Sequence, residues 1–404
     1  MRHVIVGNGM AGITAARALG RLDPGARITI VTDEATPFYS RPGLMYYMMG
    51  YLKEWDLRIA RDGFYRELGA ELKHDTAVRI SADDDVLELA SGERLPFDRL
   101  LIATGSKSRR PNVPGADLDG VHFMYTLQDC KRIVSRSRRG MKAVILGGGL
   151  LGSELAEVWR HLGVNVVQLV REPWYFPKGL SEPQGRIVET ETRRHGVELH
   201  LNEEAAEFGR NGKVSKVITK TGKEFEADAV GVTIGVEPNP DFATASGIAT
   251  ARGVLVDETL RTSRANVFAA GDCAEIRDGN GQGTYIEQLW YSAARQGEAV
   301  ARAMCSDVRP YDSGIFYNSA MFFNVDYVAI GSVRSPGDDL AEETVVSRDG
   351  RAARRFVHRS GLVTGITSVG AGDNAEVLMQ MVGDGMNLEL AQERLKGRRW
   401  RRAR

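Results

Sequence analysis

Two glycine-rich loops, each set between an apolar strand and a helix, constrain the fold of this chain more than any other feature. The first, GNGMAG, occupies residues 7–12, and the second, GGGLLG, follows 140 residues later at 147–152. In such a loop the first glycine permits a tight turn, the second lets the backbone approach a pyrophosphate, and the third lets the helix pack on the strand. The sequence therefore predicts two dinucleotide-binding sites. Their expected lining residues are Gly7, Gly9, Gly12, Gly147, Gly149, Leu151 and Gly152.

A longer internal duplication accompanies the two loops. Residues 91–105 match residues 221–235, with a glycine, an aspartate and a second glycine at the same spacing in both segments. Each segment predicts a hairpin turn and then a buried strand that ends in a glycine loop. The loops are Ala103-Thr104-Gly105 in one copy and Thr233-Ile234-Gly235 in the other. The chain is therefore expected to contain two copies of one α/β fold.

An acidic pair, Asp33 and Glu34, follows the second apolar strand, residues 28–31. It lies 21 residues beyond Gly12. A carboxylate at this distance is expected to accept hydrogen bonds from the ribose of an adenosine. Strand, glycine loop, helix and acid together distinguish this pattern from an ordinary glycine-rich turn.

Length and composition limit the remaining possibilities. At roughly 150 residues per domain, the 404 residues predict two to three domains. The 53 basic and 53 acidic side chains cancel, which argues against nucleic acid as a partner. Three cysteines (Cys130, Cys273 and Cys305) are too few for a disulfide framework or a cysteine-rich metal site. No apolar run reaches the ~18 residues of a membrane span and no leader pattern precedes the first strand, so we expect a cytoplasmic protein. Because the cysteines are so few, we also expect no metal.

The order of the motifs resembles that of the pyridine nucleotide:disulfide oxidoreductase superfamily, flavoproteins with two dinucleotide-binding domains. The motifs are the two glycine loops, Ala103-Thr104-Gly105, the segment GVEPNP at 235–240 and the segment VFAAGD at 267–272. Within the superfamily, the segment PFYSRPGL at 37–44 is similar to the ferredoxin reductase, rubredoxin reductase and NADH oxidase branch.

The resemblance implies an α/β fold with two Rossmann-like domains, for FAD and for NAD(P)H, and a C-terminal α+β dimerisation domain. The FAD domain would comprise residues 1–113 and 236–308, the NAD(P)H domain residues 114–235, and the C-terminal domain residues 309–404. A homodimer or a subunit of a redox complex is expected.

The resemblance also implies which residues surround the two cofactors. Asp272 would hold the ribitol chain of FAD, although an aspartate there could also be a helix N-cap. The residues implied for FAD are Gly7, Gly9, Gly12, Asp33, Glu34, Arg41, Ala103, Thr104, Gly105, Gly271, Asp272 and Leu289. Those implied for NAD(P)H are Gly147, Gly149, Leu151, Gly152, Arg171, Glu172 and Gly235.

Two further side chains are implied near the reacting rings. Glu154 matches a glutamate that relatives place beside the nicotinamide, and its alternative role is a first-turn carboxylate that complements the helix dipole. Trp290 would shield or stack on the flavin, and its alternative role is a core residue at the start of a helix. Hydride transfer between stacked cofactors requires no general acid or base, so the protein supplies orientation and exclusion of water.

The sequence leaves the choice between NADH and NADPH open. An acid at the end of the strand 164–170 would bind a ribose 2′-hydroxyl, whereas an arginine would pair with a 2′-phosphate. Counting about 20 residues from Gly152 reaches Glu172 and favours NADH. Aligning the strand end reaches Val170, with Arg171 beside it, and favours NADPH.

The cysteines depart from the thiol-dependent members of the superfamily. No cysteine precedes Cys130, so none lies near the segment 37–44. Cys273 is expected to be a packed structural residue. The implied function is an FAD-dependent NAD(P)H oxidoreductase that passes electrons to a ferredoxin- or rubredoxin-type carrier or to an iron–sulfur partner subunit. An oxidase that uses oxygen and a nucleotide-responsive flavoprotein scaffold are the alternatives.

The C-terminal segment 394–404 has a different charge from the rest of the chain. It contains seven basic residues among eleven, grouped around Trp400. Such a run is commonly a solvated tail. The alternative is a docking element that attracts an acidic electron-carrier protein.

Overall fold

The computed structural model describes most of the chain, with several short segments outside it. The described residues are 1–81, 84–209, 212–278, 283–333, 339–396 and 400–402, the last three by their backbone alone. The chain divides into two compact units. The first unit comprises Met1–Gly43, Leu52–Lys107 and Val236–Ser313, and the second comprises Leu44–Tyr51, Ser108–Gly235 and Gly314–Arg404. The proposed division into three domains stays a prediction.

A parallel sheet of five strands forms the centre of the first unit. Its strands are mostly buried apolar runs, as expected of a parallel sheet covered on both faces. Their order across the sheet is Val267–Ala269, Arg99–Ile102, Arg2–Val6, Arg27–Thr32 and Ala70–His74.

Two long helices of the first unit pack closely against each other. Met10–Leu22 follows the first glycine loop, and Trp290–Met304 approaches it at Gly297. A Cβ atom on Gly297 would lie 2.5 Å from the carbonyl oxygen of Ala11, so only glycine permits this approach. The shorter helices are Glu54–Leu57, Phe64–Glu67 and Asp241–Ala245, with a 3₁₀ turn at Arg41–Gly43.

Two small three-stranded sheets complete the first unit. One is an antiparallel meander of Ala77–Ile80, Val86–Leu89 and Arg94–Pro96. The other contains Val254–Val256, Ala274–Arg277 and Thr284–Tyr285. Two short strands, Ser106–Ser108 and Val236–Pro238, lie where the chain leaves and re-enters the first unit.

The second unit repeats the parallel sheet. Its strand order is Glu198–Leu201, Asn165–Val170, Lys142–Leu146, Ala229–Val232 and Val121–Phe123. The edge strand Val121–Phe123 precedes the glycine loop in sequence, whereas the edge strand of the first sheet comes from the later segment Val267–Ala269. An antiparallel meander again accompanies the sheet, formed by Ala205–Phe208, Lys216–Thr219 and Glu224–Glu226. The helices of this part are Leu44–Met48, Leu127–Arg136, Leu150–His161 and Glu182–Arg194.

An antiparallel sheet of six strands occupies the C-terminal part of the second unit, as the expected α+β fold requires. Its strands are, in order across the sheet, Tyr317–Phe322, Val325–Gly331, Leu362–Val369, Ala353–Arg359, Ala341–Ser347 and Trp400–Arg402. Helices Ala375–Gly383 and Leu388–Arg394 belong to the same region. The other residues of the basic segment after Lys396 lie outside the described residues.

The duplicated aspartates serve the same purpose in both units. Asp98 accepts a hydrogen bond from the backbone N–H of Arg2 at 2.7 Å, and Asp228 accepts one from Lys142 at 2.9 Å. Each therefore fixes the beginning of the strand that leads into a glycine loop. The Arg2 guanidinium also binds Asp98 and lowers the pKa of this carboxyl to about 2. This shared contact explains the matched spacing that the sequence displays.

Candidate functional site

The two glycine loops have the same geometry. Gly7 has φ +120° and Gly147 has φ +116°, both in the region that favours glycine. A Cβ atom on Gly7 would lie 2.1 Å from the carbonyl oxygen of Ala103, and one on Gly147 would lie 2.5 Å from that of Thr233. Ala103 and Thr233 occupy matched positions of the duplication. The structure therefore brings each predicted glycine loop against its matched partner segment.

The other two motif glycines of each loop, Gly9 and Gly12 in the first and Gly149 and Gly152 in the second, differ in what surrounds them. A Cβ atom on Gly12 would lie 2.2 Å from the carbonyl oxygen of Gly7, and the corresponding distance from Gly152 to Gly147 is 2.4 Å. A Cβ atom on Gly9 or Gly149 would meet no protein atom within 4 Å.

Gly9 and Gly149 are also the N-caps of the helices Met10–Leu22 and Leu150–His161. Each open backbone therefore lies at a helix N-terminus, where unpaired N–H groups and the helix dipole attract an anion. Both loops fit the pyrophosphate of a dinucleotide.

The backbone hydrogen bonds of the two glycine loops show which residues correspond at the ends of the strands Arg27–Thr32 and Asn165–Val170. The N–H of Gly7 donates to Val31 at 2.8 Å, and the N–H of Gly147 donates to Leu169 at 2.9 Å. Three residues beyond these acceptors lie Glu34 in the first unit and Glu172 in the second. The two glutamates therefore occupy the same position relative to their loops. Arg171 corresponds to Asp33, which is exposed.

Glu34 is held in place by two neighbouring side chains. The guanidinium of Arg41 binds its Oε1 at 2.5 Å, and the hydroxyl of Tyr39 donates to its Oε2 at 2.9 Å. Arg41 also contacts the Tyr39 hydroxyl at 3.0 Å. The structure thus brings the predicted residues Glu34 and Arg41 together. Tyr39, which the sequence did not indicate as a site residue, orients both.

Arg171 and Glu172 form an ion pair with each other. The Nε and one terminal nitrogen of Arg171 lie 3.0 and 2.9 Å from Oε1 of Glu172. The arginine side chain is 64% exposed and the glutamate 28% exposed. The less exposed Glu172 is the residue that corresponds to Glu34.

Asp272 lies at the end of a chain of polar contacts. Ser106 donates to its Oδ2 at 2.9 Å, and the amide of Gln288 donates to Ser106 at 2.9 Å. Burial raises the pKa of Asp272, while Ser106 and the charge of Arg41 oppose the rise. The N-cap role considered for Asp272 is wrong, because the residues that follow it form the strand Ala274–Arg277.

Thr104 and Gly105 join the first glycine loop to the returning chain. The Thr104 hydroxyl donates to the carbonyl oxygen of Asn239 at 2.6 Å, and the N–H of Asn239 donates to Gly105 at 2.9 Å. The matched Gly235 has φ +107°, and a Cβ atom there would meet no protein atom within 4 Å. Both predicted glycine turns are therefore present.

Trp290 is half-buried, and its ring stacks on Phe38, with 5.9 Å between centroids and an angle of 10° between planes. It begins the helix that Leu289 caps. The N–H of Phe38 donates to the Tyr65 hydroxyl, which also bonds to Asn8 in the first glycine loop. Trp290 thus packs against the core, as its alternative role required, and belongs to an aromatic group linked to the loop. No motif in the sequence indicated Tyr65 as a site residue.

Glu154 lies in the second turn of the helix Leu150–His161. The helix begins three residues before the predicted start at 153, so the first-turn role considered for Glu154 is wrong. Burial, together with the charge of Glu157, raises the pKa of Glu154 to about 7. Within the described residues, no hydrogen bond or ion pair reaches its carboxylate. Glu154 is therefore available to a ligand, and its carboxyl is partly protonated near neutral pH. Leu151 is half-buried in the first turn of the same helix.

Cys273 is a packed structural residue, as expected. Its side chain is fully buried, with Sγ 3.4 and 3.5 Å from the carbonyl oxygens of Ala270 and Ile102. Burial raises the pKa of the thiol. A buried thiol of raised pKa has little of the reactive thiolate.

Two parallel sheets, each with a glycine loop at a helix N-terminus and an acid at the end of the next strand, define a protein with two dinucleotide-binding sites. Residues 1–297 match the family model described as pyridine nucleotide-disulphide oxidoreductase, and the chain belongs to this family.

Known reductases resemble the chain over most of its length. It is 32% identical to the biphenyl dioxygenase system ferredoxin–NAD(+) reductase component of Paraburkholderia xenovorans (strain LB400), over 96% of this chain and 94% of that protein. It is 28% identical to the rubredoxin–NAD(+) reductase of Pseudomonas putida, over 77% of this chain and 81% of the relative. Among solved structures, the ferredoxin reductase for the CYP199A2 system from Rhodopseudomonas palustris matches with a TM-score of 0.84, 26% identity and 91% coverage of both chains.

These comparisons confirm the expected class, an oxidoreductase that uses FAD and a nicotinamide nucleotide. They also confirm the expected Rossmann-like architecture. In the described part of the chain, no helix has the length and apolar character needed to cross a membrane.

Proposed function

We propose that this protein takes electrons from NADH through FAD and passes them to a small ferredoxin- or rubredoxin-type protein. The names of the two reductase relatives support this acceptor class. The observation that carries the proposal is the pair of matched dinucleotide cradles, which differ in the residues around them.

The first glycine loop is the proposed FAD site. Gly7, Gly9 and Gly12 would hold the pyrophosphate at the helix N-terminus. Glu34, oriented by Arg41, would accept from the adenosine ribose. Asp272 would accept from hydroxyls of the ribitol chain.

The second glycine loop is the proposed NADH site. Glu172 corresponds to Glu34 and would accept from the 2′-hydroxyl of the adenosine ribose, which favours NADH over NADPH. Arg171 already pairs with Glu172, so its charge is partly neutralised before any phosphate arrives.

Glu154 is proposed to orient the nicotinamide. Near neutral pH a carboxyl whose pKa is about 7 exists in part with its proton. A protonated carboxyl both donates and accepts hydrogen bonds, which suits the amide group of nicotinamide. Bound FAD would supply the redox chemistry by accepting a hydride and releasing single electrons, while the protein residues hold the rings and exclude water.

The partner state and the location extend the proposal. We propose that the C-terminal domain, residues 309–404, forms a homodimer or binds another subunit of a redox complex. None of the three cysteines forms a disulfide bond, which supports a reducing, cytoplasmic location. Sedimentation of the purified protein at several concentrations would test the dimer.

Anaerobic double mixing tests the function. The purified flavoprotein is first reduced with one equivalent of NADH and then mixed with oxidised ferredoxin, oxidised rubredoxin or oxygen while the flavin absorbance is followed. We expect at least one iron–sulfur protein to reoxidise the flavin much faster than oxygen does. Faster reoxidation by oxygen would instead identify an oxidase. Slow reoxidation by every acceptor, with a dimer that depends on the nucleotide, would identify a scaffold.

A further inference from the structure

The floor beneath the second glycine loop is polar, whereas the floor beneath the first is apolar. The matched hydrogen bonds of Gly7 and Gly147 show that Ile30 in the first unit corresponds in position to Gln168 in the second. The matched loops show in the same way that Ile13 corresponds to Ser153. All four side chains are at most 2% exposed. Buried polar side chains are costly unless they are hydrogen-bonded, so the exchange needs a reason.

Gln168 ties the second loop to the segment behind it. Its amide nitrogen donates to the carbonyl oxygen of Gly147 at 2.9 Å and to the hydroxyl of Tyr175 at 2.9 Å. Tyr175 is fully buried. One buried amide thus connects the backbone of the loop to a tyrosine seven residues further along the chain.

Tyr175 belongs to the segment 171–181, which also contains Glu172. The backbone N–H of Tyr175 donates to Oε1 of Glu189 at 3.1 Å, so Tyr175 is also bound to the helix Glu182–Arg194. The amide of Gln168 therefore joins the two parts of the site, the loop at Gly147 and the segment that carries Glu172. The first unit has apolar Ile30 where the second has this amide.

We propose that Gln168 and Tyr175 are positioning residues of the NADH site, which hold the glycine loop and the Glu172 segment in one arrangement. FAD stays bound through turnover, but NADH must enter and leave. A directional hydrogen bond sets the separation of loop and segment in the free site, before the nucleotide binds. This inference rests on the proposed assignment of the second loop to NADH.

Titration calorimetry of the FAD-loaded protein with NAD⁺ tests the inference. Tyr175→Phe removes only the hydroxyl and leaves the Gln168 amide short of one acceptor. We expect Tyr175→Phe and Gln168→Leu each to raise the Kd for NAD⁺ by about tenfold or more, since Tyr175→Phe breaks one buried hydrogen bond and Gln168→Leu breaks two. FAD content and the limiting rate of flavin reduction at saturating NADH should stay unchanged. Ile30→Val beneath the first loop is the matched control and should leave the NAD⁺ affinity unchanged.

The double variant Gln168→Leu/Tyr175→Phe separates positioning from packing. It removes both polar partners, so we expect its affinity loss to be no larger than that of the worse single variant. Additive losses would overturn the inference, and so would a lower thermal midpoint with unchanged NAD⁺ affinity. If the wild-type protein bound no NAD⁺ but bound NADP⁺, the NADH assignment itself would fail, and the inference with it.

Discussion

At the scale of single residues, carboxylates in different surroundings take different roles. Glu34 and Glu172 lie at matched strand ends, and each forms an ion pair with an arginine. Glu154 is held without a partner among the described residues, and its pKa is raised to about 7. The first two are suited to accept from hydroxyl groups, and the third is suited to share a proton with a ligand.

Replacing Glu154 with glutamine should stabilise the protein more at pH 8 than at pH 5. The pKa of Glu154 is about 7 in the folded chain, against an ordinary value of 4.5. Between these values the unfolded chain has lost a proton that the folded chain keeps, so stability falls as pH rises. Glutamine does not titrate, so the variant does not undergo this decrease in the free energy of unfolding, which is on the order of 2 kcal/mol between pH 5 and pH 8. Urea denaturation at both pH values measures the difference, with exposed Glu389→Gln as the control. An equal gain at both pH values would contradict the raised pKa.

The coenzyme preference should depend on Glu172 rather than on Arg171. We expect Glu172→Gln to lower the ratio of kcat/KM for NADH to that for NADPH by roughly tenfold, because a charged acceptor for the ribose is lost. Arg171→Ala should change the ratio by less than about twofold, since the arginine is exposed. A strong shift toward NADH in Arg171→Ala would show that the arginine reads a 2′-phosphate, against the proposal.

At the scale of elements, the sequence predicted the strands and glycine loops well because each loop needs particular glycines. Gly7 and Gly147 must approach a carbonyl oxygen that any side chain would strike, and this requirement is visible as a motif. Helix starts were harder to predict. The second helix begins at Leu150 because Gly149 already serves as its N-cap, so Glu154 moves one turn away from the N-terminus.

Contacts between distant segments could not be predicted from the sequence. Ser106 bonds to Asp272 across 166 positions, and Tyr65 bonds to Asn8 across 57. Such pairs follow from the packing of elements and leave no local pattern. The alignment of Glu172 with Glu34 also required the sheet register, since counting residues and aligning strand ends gave different answers. A position-by-position comparison of the two glycine-loop regions would have shown that polar Gln168 and Ser153 stand where the first region has apolar Ile30 and Ile13.

At the scale of the whole molecule, the basic and acidic side chains cancel, but seven of the 53 basic ones are concentrated in the basic segment 394–404. Residues 397–399, 403 and 404 of this segment lie outside the described residues. Where the structure describes this region, Arg354 donates to the carbonyl oxygen of Leu395 at 2.7 Å. Arg354 also forms a buried ion pair with Asp373. The chain is therefore anchored at Leu395, near the start of the basic segment.

Deleting the residues after Leu395 should weaken reduction of an acidic carrier protein. The deletion removes six basic residues, so electrostatic attraction of the carrier decreases. We expect a several-fold loss in kcat/KM for the carrier at low salt that shrinks at high salt, because salt screens the interaction. Flavin reduction by NADH serves as the internal control and should not change. Equal carrier rates for both forms would show that the basic segment does not attract the carrier.

The most direct test of the two-site account is a crossed comparison of Gly9→Ala and Gly149→Ala. Both glycines have extended backbones that alanine can adopt, and a Cβ atom on either meets no protein atom within 4 Å. The added methyl groups should therefore leave folding almost intact but obstruct a pyrophosphate. Fluorescence titration with FAD and calorimetry with NAD⁺ would measure each affinity. The account predicts a loss of roughly tenfold or more in FAD affinity for Gly9→Ala alone and in NAD⁺ affinity for Gly149→Ala alone. Loss of FAD in Gly149→Ala, or unchanged NAD⁺ binding there, would contradict it.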